Sequence, residues 1–175
     1  MNNFVFKALH VVAWVIFVGL CIEAGALIVN FVFSLFKPAI VGNLYQKLDL
    51  SKIYQQSQSV FFGMYSFVIF IAVMKAVLFY IVIELLLKLD LSKPFSPFVA
   101  KKISQISYHT FSLGILSYIA RQTAKNLSNH GYEIDNLSRF WGDSEAFILM
   151  SAIIYVIAII FKRGIELQTE NELTV

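Results

Sequence analysis

Three ionisable side chains sit inside long apolar runs of the sequence: Glu23, Lys75 and Arg121. A carboxylate in such surroundings is costly to keep charged, so it pairs with a cation or takes up a proton. These residue types therefore point either to an ion pair that fixes helix register or to a polar route for an ion, a proton or a ligand. Small and polar residues accompany them at helical spacing. Gly19, Glu23, Ala26 and Asn30, ending at Ser34, form one stripe, and Ser107, Thr110, Gly114, Ser117 and Arg121 form another. Small residues let backbones approach and polar ones seek partners, so both stripes are expected to face other helices. Glu23, Asn30, Lys75 and Arg121 would then make one intramembrane polar cluster. Counting about 1.5 Å per residue from the centre of each apolar run, Arg121 is the first partner expected for Glu23 and Lys75 the second, with a shared cluster equally consistent.

Other chemistry has less support. The sequence holds no glycine-rich phosphate loop, nucleophile elbow or H-E-x-x-H motif, and its single cysteine, Cys21, leaves no cysteine-based metal site. His130, Glu133, Asp135, Asp143 and Glu145 match no metal spacing, and a solvated loop is expected there, with Phe140 and Trp141 at the membrane interface. His10 and His109 read as packed or interfacial residues, and Glu84 as a one-turn partner of Lys88. No enzyme, cofactor or metal is expected.

The elements that position these residues follow from composition. Of 175 residues, 58% are hydrophobic and 14% charged, whereas soluble domains carry roughly a quarter charged residues. This is the composition of a membrane protein. A net charge of +3 spread along the chain gives no basic patch for direct nucleic-acid binding. Four windows, about 10–33, 60–87, 104–124 and 146–162, approach the ~20 apolar residues a spanning helix needs. The connection at 37–58 reads as an interfacial loop or short helix. The expected fold is all-α, an integral membrane four-helix bundle.

The hexapeptide KLDLSK occurs twice, at residues 47–52 and 88–93. The residues before the copies do not match, which excludes a duplicated unit. The second window separates them, so they are expected on opposite sides of the membrane. One side collects Lys7, Lys88, Lys93, Lys101, Lys102, Lys162 and Arg163; the other holds Lys37, Lys47, Lys52, Lys125 and Arg139. The lysine cluster in the shortest loop places both termini in the cytoplasm. Ser96 followed by Pro97 is a helix start. At the other end, Gly164 is expected to permit a break before an acidic tail, residues 164–175. Lys101, Lys102, Glu166, Glu170 and Glu172 are the residues expected to meet a partner there.

The segments GLCIEAGAL, KPFSPFVAKKIS and FKRGIELQTENELTV resemble a family of bacterial membrane proteins, the domain of unknown function 2975. The resemblance covers nearly the whole chain, and its most specific parts are residues 94–96 and the stretch from Phe161. Pro97 departs from an acidic residue common at that point, which touches the helix start alone. The resemblance implies a four-span helical protein of the bacterial inner membrane, commonly encoded beside a small helix-turn-helix transcription regulator, with no activity to carry over. The expected partners are therefore the lipid bilayer and a cytoplasmic transcription regulator, with a homo-oligomer as a further arrangement. The leading function is a non-enzymatic accessory or signalling protein; the alternative is a small transporter or channel subunit using the intramembrane charges.

Overall fold

The computed structural model describes residues 3–90 and 94–173. Four long helices dominate it: α1 (Asn3–Phe36), α3 (Gln58–Lys88), α4 (Pro97–Asn129) and α5 (Ser144–Leu173), with the short α2 (Ser51–Gln56) between the first two. Each boundary has a local cause. Lys37 precedes Pro38, whose ring disfavours helical geometry in the residue before it, and α1 stops at Phe36. Ser57 caps α3 by accepting from the Val60 N–H at 3.4 Å. Ser96 does the same for α4 with the Val99 N–H at 3.3 Å, and Pro97 occupies its first turn, as its sequence predicts. Beyond α4 the chain turns at Gly131, where φ is +87°, a conformation that glycine adopts without steric cost.

Three stretches are long and apolar enough to cross a membrane: Phe4–Phe36, Gln58–Lys88 and Asn136–Glu170. The expected third window, 104–124, is not among them. It lies in α4, whose serines, Thr110, Gln105, His109 and Arg121 lower its apolar character. Those small polar residues serve packing instead. Ser104, Ser107, Thr110, Gly114 and Ser117 are buried, and the Ser107 hydroxyl donates to the Ser151 carbonyl of α5 at 2.9 Å.

The long helices pack in a row, α1 on α3, α3 on α4 and α4 on α5. This is an open arrangement of the four helices in which α1 and α5 form the edges. The buried seam of α1 also differs from the expected polar stripe. Ala13, Ala24, Leu27 and Ser34 are buried, with the half-buried Phe17, Leu20 and Phe31 between them, a heptad-like spacing suited to one neighbouring helix. Gly19 is exposed, and Glu23, Ala26 and Asn30 sit at the margin of the seam.

One end of the row carries a folded cap. The connection from α1 to α3 winds through 3-10 turns at Pro38–Gly42 and Tyr45–Lys47 and then α2. It buries Val41, Leu44, Leu48, Leu50 and Ile53 in one cluster with Ile134, Leu137, Phe140 and Trp141 from the α4–α5 connection. Both connections were expected as interfacial or solvated segments. Phe140 and Trp141 are instead 6% and 3% exposed, because two loops at one end of the row can bury apolar surface against each other. Polar links tie the loops together. Lys52 donates to both Glu133 carboxylate oxygens, at 2.6 and 2.9 Å, Gln56 donates to the Gly131 carbonyl at 3.1 Å, and Asn136 donates to the Asp49 carbonyl at 3.2 Å.

The first KLDLSK copy is part of this cap. Its two leucines are buried, and Asp49 accepts from the Ser51 N–H at 2.9 Å and the Ser51 hydroxyl at 2.6 Å. Those bonds hold the Asp49 carboxyl below its ordinary range. The Glu133 carboxylate raises the Lys52 ammonium above its own. The second copy begins at Lys88, the last residue of α3, and its residues 91–93 lie outside the described residues. The copies therefore occupy opposite ends of α3.

Candidate functional site

Two ring contacts set the register of the antiparallel pair α1 and α3: Phe17 with Tyr80 at 6.1 Å between centroids, and Phe31 with Tyr65 at 5.6 Å. Interpolating between them puts Glu23 opposite Val73 and Met74, within about two residues of Lys75. One side of the α1–α3 seam is an apolar groove that includes Cys21, Gly25, Val73 and Val77. Rotation of about 100° per residue carries Glu23 and Lys75 to the other side of that seam. Both are half-buried, and neither makes a hydrogen bond or ion pair among the described residues. Two opposite charges thus share one depth and one face without touching.

The other expected members of the cluster lie elsewhere. The Asn30 amide donates to the Ala26 carbonyl of its own helix at 2.8 Å. Arg121 grips Glu145 with both terminal nitrogens, one of them at 2.9 Å, and stacks its guanidinium over Tyr118 at 5.7 Å. The expected pairing with Glu23 does not occur, because α1 packs along α3 and Arg121 belongs to α4, which faces α5. Glu145 lies in the first turn of α5. The clue in the sequence was available, since both residues fall near ends of windows joined by one connection.

At the end opposite the cap, Lys102 of α4 donates to Glu84 of α3, and their side chains are 13% and 27% exposed. The expected one-turn pair of Glu84 with Lys88 is replaced by this bond between helices. Lys88 and Lys102 both lie over the Phe98 ring, at 5.2 and 5.8 Å. Lys102 is therefore committed to packing, and Lys101 is the lysine of that pair left exposed. Gly164 does not break α5, which runs on to Leu173. Its role is close approach: a Cβ there would come within 2.6 Å of the Phe95 ring. Beyond it Glu166 pairs with Arg163 at 2.8 Å, Glu170 is exposed, and the Glu172 side chain lies outside the described residues.

A further pocket of about 240 Å³ opens beside the cap, lined by Arg121, Lys125, Ser128, Asn129, Ser138 and Trp141 among others. No local sequence pattern signals it, since its walls come from α4 and from the turn before α5. Among the described residues no group of three or more histidine, cysteine, aspartate or glutamate side chains is placed to hold a metal ion.

Long apolar helices, a polar α4 seated between α3 and α5, and charges held at apolar depth define a helical protein of membrane type. Residues 44–175 match the family model described as "Protein of unknown function (DUF2975)", and the chain belongs to that family. The matched segment spans most of the cap and α2 to α5; α1 and the turn at Pro38–Gly42 lie before it. Neither a curated protein nor a solved structure matches the chain.

Proposed function

We propose that the chain is a four-span protein of the bacterial inner membrane, with both termini in the cytoplasm, that acts without enzymatic activity as an accessory or signalling subunit for a cytoplasmic partner. A helix-turn-helix regulator is the partner class implied by the family resemblance. The carrying observation is the contrast between the two ends of the row. One is closed by a cap with its own apolar cluster. From the other, α5 continues past Lys162 and Arg163 for about three turns, presenting Glu166 and Glu170 near the exposed Lys101 end of α4. A rigid, acidic helical extension loses less conformational entropy on docking than a loose tail would.

The test is co-purification of the full chain with a helix-turn-helix regulator encoded beside it. Binding by the native chain and at least tenfold weaker binding by the Glu166→Lys, Glu170→Lys double variant is the expected result. A variant that binds as well as the native chain, or a native chain that does not bind, contradicts the reading.

One observation favours a second reading, that of a small transporter or channel subunit. Glu23 and Lys75 lie at one depth on one face and are unpaired among the described residues, and intramembrane charges mark ion and proton routes in many proteins. Flux through proteoliposomes that disappears with Glu23→Gln would support it.

A further inference from the structure

The pocket beside the cap is lined by donors. Arg121, Lys125, Ser128 and Asn129 recur at i, i+4, i+7 and i+8 along α4, and so share one face of that helix. Ser138 and Trp141 come from the facing turn. No acidic side chain lines the pocket among its described residues.

The state of these donors matters more than their number. Arg121 is neutralised by Glu145, so it contributes structure and little net charge. Lys125 makes no ion pair, and the side chains of Ser128, Asn129 and Ser138 make no hydrogen bond, among the described residues. Trp141 is 3% exposed as a whole residue, and its indole N–H, which makes no hydrogen bond among the described residues, is not itself buried. A pocket of about 240 Å³ with one uncompensated ammonium, two hydroxyls and an amide, all on exposed residues, and an indole N–H suits a compact oxyanion. Phosphate fits this donor set because its several acceptor oxygens can take charged and neutral hydrogen bonds together.

We propose that this pocket binds a phosphate group, with Lys125 supplying the charge and Trp141 an indole N–H donor. The group belongs either to a lipid headgroup or to a free phosphate ion. The assignment stands apart from the partner reading, because it concerns the opposite end of the row.

The experiment uses the full chain carrying Trp14→Phe, which leaves Trp141 as the one indole, purified in dodecyl maltoside, a detergent that holds no phosphate. One arm titrates sodium phosphate against sodium chloride at equal ionic strength. The other adds phosphatidylglycerol, or a neutral glycolipid as control, to the micelles. A saturable change in Trp141 fluorescence is expected in at least one phosphate arm and in neither control. Lys125→Gln should weaken it about tenfold, Lys125→Arg should retain it, and Lys47→Gln, at the same end but outside the pocket, should leave it unchanged. Response to the salt identifies the free ion as a ligand, and response confined to the lipid identifies the headgroup. No saturable response in either arm, or an undiminished response in Lys125→Gln, overturns the proposal.

Discussion

Replacing Gly114 with leucine is expected to separate α4 from α5 and lower stability by at least ~2 kcal/mol, in the range measured for overpacked cores. A Cβ at this position would lie 2.7 Å from Ile148 Cγ1, 3.0 Å from the Ile148 backbone nitrogen and 3.2 Å from the Ser144 carbonyl oxygen. The first contact could relax by rotating a side chain. The other two are backbone, so the helices themselves must part, and Ser107 would be pulled from the Ser151 carbonyl it bonds. Alanine should already destabilise measurably, and leucine more. Thermal unfolding in detergent reads this directly. Gly19→Leu is the control, since nothing lies within 4 Å of a Cβ there; equal effects at the two glycines would refute the close seam.

The second large effect is expected at Lys102. Lys102→Met leaves Glu84 as an uncompensated carboxylate in a largely covered position. Removing one partner of a buried pair costs about 3 kcal/mol. Glu84→Gln should cost less, because a neutral amide still accepts a hydrogen bond from the lysine. The double replacement Glu84→Leu, Lys102→Met should recover much of the loss, since paired removal leaves no stranded charge. Unfolding midpoints of the three variants check the order. A Lys102→Met chain as stable as the native one would show that the lysine is not held by Glu84 and is available to a partner after all.

What could be read from the sequence was set by local signals. Ser96 and Pro97 specify the start of α4 through their own bonds and ring geometry, and the apolar runs of α1, α3 and α5 declare themselves by length. The inward face of α1 was not readable in this way. α1 is apolar on all sides, so its sequence carries no contrast that says which face meets α3. The polar stripe through Glu23 supplied a contrast that did not coincide with the seam. The cap was hidden for a different reason: Leu48, Leu50 and Ile53 are buried against Ile134 and Leu137, more than 80 positions away, and short turns have no periodicity to report such contacts. Arg121 illustrates the third limit. Its partner depended on helix order, and the row that seats α4 against α5 selects Glu145 over Glu23.

We propose that α1, α3, α4 and α5 all cross the membrane, so that the cap and the lysine-rich end face different compartments. Single cysteines in a Cys21→Ser background test it, one at Gln55 in the cap and one at Lys101 at the opposite end, both exposed positions. Intact spheroplasts are treated with a maleimide that cannot cross membranes. With four spans, Gln55→Cys is expected to react at once and Lys101→Cys only after permeabilisation. Equal reaction of both cysteines in intact spheroplasts would contradict it.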